Sequence, residues 1–290
     1  MTFAQALFMG LLQGATELFP VSSLGHAVLV PSLLRWTFKQ SDPSFVPFLV
    51  LLHLGTAGAL LFIYRTQWVE IIRGFFAAAM RGQIRTEPER LAMLLLVGTI
   101  PAGAIGVYLE RFLKALFATP KLAAAFLVVN GLLMLGFEML RRRAESRAAL
   151  AGRPRLEQEQ GFGDAEHISF KAAALVGACQ ALALIPGISR SGITIGGGLL
   201  AGLRHQEAAR FSFLLATPII LAAGLIEVPL LFSAEEPLAE YCAGAVLAAG
   251  AAYVSARFLL RYFRSGRLDP YGWYCIAAGL VSMALLTLLT

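Results

Sequence analysis

The sequence predicts an all-α integral membrane protein built as an inverted-topology repeat, each half holding one re-entrant helical hairpin and three transmembrane helices. Three observations carry that expectation. The chain of 290 residues is 58% hydrophobic and only 14% charged, against about 25% charged in soluble domains, and its mean hydropathy is +0.70. Six apolar runs are long enough to cross a bilayer, which takes about 20 residues. Two further apolar segments are broken by proline and carry ionisable groups, so each is too long for one span and too interrupted for two. This composition excludes an ordinary soluble enzyme and a disordered chain. Cys179, Cys242 and Cys275 form neither a disulfide framework nor a CxxC zinc motif. The net charge of +6 sits in clusters between apolar runs, the layout of a polytopic membrane protein and not of a nucleic-acid binder. The runs are continuous, not alternating, which argues against a β-barrel. The N-terminal MTFAQALFMGLLQG lacks a basic region and a small-residue cleavage site, so it is expected to belong to the mature fold.

Taken in order, the first broken segment is 3–34, interrupted by Pro20 and Pro31 and carrying Glu17 and His26. Spans follow at 45–64, 91–109 and 121–140, completing a first half over 1–143. A polar connector occupies 144–166. The second half, 167–290, opens with the broken segment 171–203, interrupted at Pro186-Gly187 and carrying Arg190, and continues with spans at 211–232, 241–263 and 271–290. Arginine clusters in 65–90, 141–171 and 257–267 place those connections in the cytoplasm, together with 144–166. The loop SAEEPLAE at 233–240 has no Lys or Arg and fits outside, and the loops at 35–47 and 110–120 are less basic than the inside ones. Counting from these assignments puts residue 1 outside. The first hairpin enters from the outside and the second from the inside. Three spans per half is an odd number, so the halves are oppositely oriented. GLLQGATELFPVSS is echoed by GACQALALIPGISRS, and FLVLLHLGT by FSFLLATPI, as a repeat requires.

Both broken segments concentrate chemistry. Gln13 and Glu17, four apart, share a helix face. Pro20 then interrupts the helix, Ser22 or Ser23 can cap the next one, and His26 follows one turn later. The second segment has the same order, a proline break and then Ser189, Arg190, Ser191 and Thr194. A helix start there offers unpaired N–H groups to an anion, and the Arg190 fork suits phosphate oxygens. Ionisable groups this deep in apolar sequence are functional candidates. Plainer readings stand beside these: Glu17 as a structural partner of Arg190, Ser22 and Ser23 as caps, and His26 as a packing residue. The glycine run Gly196–Gly198 reads as helix packing. His53 either lines a cavity or bonds a neighbouring helix, and Glu227 is structural, gating or catalytic. Glu138 reads as a local partner of Arg141 and Arg142. His205 and His167 read as ordinary turn and connector residues, and the cysteines as small apolar ones.

QGATELFPVSSLGH closely resembles the (E/Q)xxxE…PVSSxGH signature of bacterial undecaprenyl-diphosphate phosphatases, the bacitracin-resistance family. PGISRSGITIGGG resembles that family's PGxSRSxxT signature, and FLVLLHLGT, GTIPAGAIG and FSFLLATP look like family segments. The resemblance implies an inner-membrane hydrolase with its site open to the periplasm. Such enzymes convert undecaprenyl diphosphate to undecaprenyl phosphate, recycling the lipid carrier for peptidoglycan synthesis and conferring bacitracin resistance. It implies a divalent cation, Mg²⁺ or Ca²⁺, with Glu17 as its ligand. By motif position the catalytic residues fall on Glu17, Ser23, His26 and Arg190. Ser22, Ser189, Ser191, Thr194 and Gln13 fall around the phosphates. Gln13 stands where many members have Glu, which removes a metal carboxylate, and Leu24 stands where many have Thr. The expected mechanism uses Ser23 as nucleophile and His26 as general base then acid, with a water activated by His26 or Glu17 as the alternative. The rival reading is an inverted-repeat transporter or flippase of polyprenyl phosphate. Expected partners are the lipid substrate and membrane lipids, with no nucleic acid; a homodimer is left open.

Overall fold

The computed structural model describes residues 1–36, 42–117, 119–150, 168–233, 238–264 and 266–289. Most of the connector 144–166, with His167, and the middle of the loop 233–240 lie outside the described residues. The described residues form eleven α-helices and no strand.

Helix α1 (Phe3–Thr16) starts at a capping box. The Thr2 hydroxyl accepts from the Gln5 amide N–H and the Gln5 side chain accepts from that of Thr2. After the turn at 17–22 comes α2 (Ser23–Leu33). The same arrangement recurs as α7 (Phe170–Gln180), a 3₁₀ turn over Ala181–Leu184, and α8 (Arg190–Leu200). At 11 to 14 residues, these four helices are about 16–21 Å long. None alone crosses a hydrocarbon core of about 30 Å.

The long apolar helices are α3 (Phe45–Ile63), α5 (Glu87–Phe117), α6 (Pro120–Leu150), α9 (His205–Glu227), α10 (Leu238–Tyr262) and α11 (Asp269–Leu288). Each of the six is long and apolar enough to cross a membrane, as expected of a multi-pass membrane protein. Val107, Leu225, Val246 and Val254 are strongly exposed on them. In water such a belt would be a liability; against lipid it is ordinary.

Several boundaries differ from those expected. The basic connection 65–90 contains a helix, α4 (Arg65–Arg81), whose Ile71, Gly74 and Ala78 pack inward. The expected loop at 110–120 is mostly helix, because α5 runs to Phe117 and α6 begins at Pro120. Helix α6 also outruns its apolar stretch into the connector. Hydropathy marks where a helix leaves an apolar environment, not where its hydrogen bonds stop, and ion pairs such as Arg141–Glu145 at 2.8 Å sustain the extra turns. Glu138 does sit beside Arg142, at 3.6 Å. Its nearer partners are His205 Nε2 at 2.9 Å and the backbone N–H of Leu268 at 3.2 Å. His205 is therefore a buried joint between α6 and α9.

The short helices pack on long ones through small residues. Gly10 and Gly14 of α1 abut the backbone of α10 at Gly244 and Ala248, and Gly177 of α7 abuts Gly98 of α5. Such contacts let helices approach where no hydrophobic effect drives them together. Helix α6 packs along α11, and α8 along α9. These pairings bring the two breaks face to face in the interior.

Candidate functional site

Each break ends at a serine cap. The Ser22 hydroxyl accepts from the Gly25 N–H at 3.1 Å and starts α2. The Ser189 hydroxyl accepts from the Gly192 N–H at 3.1 Å and starts α8. Ser22 holds a φ of 66°, a left-handed conformation that a β-carbon resists. Part of what holds it there is the second break: the Gly187 N–H donates to the same Ser22 oxygen at 3.2 Å. Gly187 itself has φ 105°, and a Cβ there would lie 2.4 Å from the Ala123 carbonyl oxygen. Only glycine fits both the dihedral and the space.

Two further groups lock the breaks together. The Ser191 hydroxyl donates to the Phe19 carbonyl at 2.8 Å. Asn130, fully buried on α6, bridges both breaks. Its Nδ2 donates to the Pro20 carbonyl at 3.1 Å and its Oδ1 accepts from the Ser189 N–H at 2.9 Å.

At the junction stands the Glu17 carboxylate. Its Oε1 accepts from Arg190 Nη2 at 2.7 Å. Its Oε2 accepts from Gln13 Nε2 at 3.0 Å and from the Ser23 hydroxyl, and lies 3.1 Å from His53 Nε2. His53 Nδ1 faces the Leu49 carbonyl at 2.6 Å, so both ring nitrogens meet oxygens and the ring is fixed from α3. One buried carboxylate thus gathers a guanidinium, an imidazole, an amide and a hydroxyl from four helices or helix ends.

A cavity of about 280 Å³ opens on this cluster. Glu17, Ser22, Ser23, His53, Ser189 and Arg190 line its polar end, and Gln180 and Glu227 also face it. Its remaining wall is apolar, with small residues Ala102, Gly103 and Gly106 from α5 opposite Ile219, Ala223 and Ile226 from α9. The starts of α2 and α8 border the polar end, so helix N-termini and a guanidinium serve one small volume. That arrangement suits a phosphate with an apolar tail.

Of the residues singled out from the sequence, Glu17, Ser22, Ser23, Ser189 and Arg190 meet at the cavity. Four others do not line it. Gln13 stands behind Glu17. Ser191 is consumed by Phe19, and Thr194 by the Arg190 carbonyl and Ser212. His26 points away: its Nδ1 faces the Ser22 carbonyl at 2.7 Å and its Nε2 the Tyr274 hydroxyl at 2.8 Å. The helical turn separating it from Ser22 folds the ring back over the start of α2 and toward α11. The imidazole at Glu17 is that of His53. Asn130 escaped sequence reasoning, although a lone amide within an apolar span was a signal of its own. Gln180 is the other omission. It occupies the place of Gln13 in the sequence echo and donates to the Gly98 carbonyl at 3.2 Å.

The residues present do not by themselves form a cation cage. Among the described residues no three His, Cys, Asp or Glu side chains cluster in a metal-holding geometry. Both oxygens of Glu17 already accept from donors, and Gln13 supplies an amide where a second carboxylate would be needed.

Comparison with known proteins agrees with this chemistry. The family model described as bacitracin resistance protein BacA matches residues 6–281. An undecaprenyl-diphosphatase of Mycolicibacterium paratuberculosis is 46% identical, covering 99% of this chain and 98% of its own. An undecaprenyl-diphosphatase 2 of Burkholderia thailandensis is 48% identical over 94% of this chain and 93% of its own. One from Chromobacterium violaceum is 44% identical over 98% of both.

Proposed function

Because the chain belongs to the bacitracin resistance protein BacA family, we propose that it is a membrane-embedded hydrolase that converts undecaprenyl diphosphate to undecaprenyl phosphate and inorganic phosphate. In the cell this recycles the lipid carrier for peptidoglycan synthesis and underlies bacitracin resistance. The observation that carries the reading is the shared carboxylate: the Ser23 hydroxyl and the Arg190 guanidinium both rest on Glu17, at the polar end of an otherwise apolar cavity. Transport alone needs no hydroxyl held on a base beside a phosphate-binding fork.

The terminal phosphate takes the Arg190 fork from Glu17 and sits against the starts of α2 and α8. Glu17, relieved of its counter-ion, accepts the Ser23 proton. The Ser23 oxygen bonds to the terminal phosphorus, and the bond from that phosphorus to the bridging oxygen breaks. The electron pair leaves with the lipid monophosphate, which takes the proton from Glu17. In the second step Glu17 takes a proton from water, water displaces the Ser23 oxygen from phosphorus, and Glu17 returns the proton to Ser23. His53 orients Glu17 throughout. His26, expected from the motif to be the base, braces the Ser22 turn against Tyr274 in this reading. A Mg²⁺ or Ca²⁺ would be held chiefly by the diphosphate itself, with Glu17 as its protein carboxylate, and would supply neutralisation of the phosphate charge. A chelator should then abolish turnover while leaving the melting temperature of the substrate-free protein unchanged; a fall in that temperature would indicate a resident ion.

The two broken segments act as re-entrant hairpins related by an inverted repeat, with halves at 1–143 and 167–290. Support comes from equivalent crossings between the halves, in which the first short helix of each packs on a long helix of the other, α1 on α10 and α7 on α5, both through glycine. The cavity is bordered by the start of α3 and the later turns of α5 and α9, ends that the arginine distribution assigns to the periplasm of an inner-membrane protein. The decisive experiment is single turnover of detergent-solubilised protein with no membrane gradient, followed by acid quench and peptide mass spectrometry. We expect phosphate release and phosphoserine at Ser23. No release would sink the hydrolase in favour of a transporter; near-normal release by Ser23→Ala would move the nucleophile to water.

A further inference from the structure

A second groove lies far from the first. It has a volume of about 500 Å³ and runs along the C-terminal turns of α6 beside the start of α11. Along α6 its arginine rim lies about 18–26 Å beyond Asn130, at 1.5 Å per residue. Leu135 and Met139 form its lower wall, and Arg142, Arg143, Arg147 and Asp269 its upper rim. Leu135, Met139, Arg143 and Arg147 follow at intervals of four, so one helix face changes from apolar to basic along its length. Met139 is 46% exposed, and both it and Leu135 belong to the apolar span of α6.

The charges are unequal. Arg142 is held by Asp269 and by Glu138 at 3.6 Å, so its position is fixed and its charge answered. Arg143 and Arg147 are exposed, and neither pairs with a carboxylate among the described residues. Three guanidiniums against the one carboxylate of Asp269 leave the groove with a positive surplus. A ligand matched to it has an anionic head at the level of the arginines and an apolar chain running down Met139 and Leu135 into the bilayer.

We propose that this groove binds one anionic glycerophospholipid of the leaflet on the side of the arginine-rich loops. Its phosphodiester lies on Arg143 and Arg147, with an acyl chain along Met139 and Leu135. The apolar wall distinguishes this ligand from a free phosphate, and the guanidinium rim distinguishes it from a zwitterionic lipid. The site is separate from the Glu17 cavity, and the inference stands whatever reaction that cavity performs.

The test is native mass spectrometry of the full chain in detergent with added phosphatidylglycerol or phosphatidylcholine. The wild type should retain one phosphatidylglycerol in preference to phosphatidylcholine. The double variant R143Q/R147Q should bind it roughly thirty-fold more weakly, since each arginine near an anionic surface contributes about a fivefold factor. Both arginines are exposed and outside the catalytic machinery, so the variant should keep its melting temperature and its phosphate release. Equal retention of the two lipids would reduce the groove to an apolar crevice. Displacement by excess inorganic phosphate would make it a free-anion site. Unchanged retention in R143Q/R147Q would remove the arginines from it. Each of these three results overturns the proposal.

Discussion

At Glu17, stability and chemistry are carried by the same bonds, and substitutions can separate them. Arg190→Ala removes the proposed phosphate fork and also leaves a buried carboxylate without its guanidinium. Breaking a buried pair from one side costs about 3–5 kcal/mol, so this variant should melt earlier as well as lose at least about 10²-fold in turnover. Adding Glu17→Gln removes the orphaned charge. The double variant should recover much of the melting temperature and none of the phosphate release, whereas recovered activity would show that Arg190 serves only to neutralise Glu17. Arg190→Lys should restore little, because a point charge does not replace a planar fork. His53 gives a second contrast. His53→Leu deletes the contact that orients Glu17, and His53→Gln keeps a donor near the same place. We expect Leu to lower kcat at least about tenfold and Gln to fall between Leu and wild type. Equal activity in all three would exclude His53 from the site. The difference between the two histidines shows what the sequence could deliver. Glu17, Ser23 and Arg190 were legible because each is a costly group beside a proline break. His26 carried the same signal, yet its ring turns toward Tyr274, and no spacing rule reports a ring's direction.

At the scale of elements, the two breaks depend on a residue that belongs to neither. Asn130 reaches from α6 to the carbonyl before one break's serines and to the N–H of the other break's cap. Without it, the buried Ser189 N–H loses its partner, at about 1–3 kcal/mol, and the Pro20 carbonyl keeps only the weak Cys275 thiol at 3.7 Å. Asn130→Leu should therefore lower the melting temperature and, by letting the starts of α2 and α8 drift apart, lower kcat more than it raises KM. Asn130→Asp keeps the acceptor for Ser189 and turns an oxygen on Pro20, so it should fall between. A change in stability with kcat untouched would make Asn130 mere packing. The broken segments themselves were readable, since Pro20 and Pro186-Gly187 interrupt apolar runs too long for one span. The cap was narrowed to Ser22 or Ser23, and the structure selects Ser22 because the Gly187 N–H needs the same oxygen. Helix α4 was not read as a helix. Its arginines served only to orient the chain, and its inward stripe of Ile71, Gly74 and Ala78 is too small to stand out within a basic connection.

For the molecule as a whole, the six long helices followed from hydropathy, because a bilayer imposes a minimum apolar length and backbone bonds must close within each segment. Which helices touch did not follow. The crossing of α1 on α10 and of α7 on α5 depends on where a glycine removes a side chain from an interface, and many glycines could do so. Orientation rests on charge. The turns of α6 that follow its apolar stretch carry Arg141, Arg142, Arg143 and Arg147, and drawing each through hydrocarbon costs roughly 2.5–3.5 kcal/mol. On the proposed topology that end therefore stays on the side of synthesis, and the remainder of the chain is threaded from it. Leu150, at the tip of α6, is 89% exposed, which makes it a suitable reporter. Cys179 and Cys242 are exposed and Cys275 is buried against Asn130, so all three are replaced first, and a change in activity from the third is expected and tolerable. With Leu150→Cys added, a membrane-impermeant thiol reagent should label inverted vesicles and spare intact cells permeabilised only at the outer membrane. A cysteine placed at Thr2 should show the opposite pattern, because three spans separate the two positions while the first hairpin adds no crossing. Labelling of both from one side would mean that the segment 3–34 crosses the bilayer, and the proposed pair of opposed hairpins would be overturned.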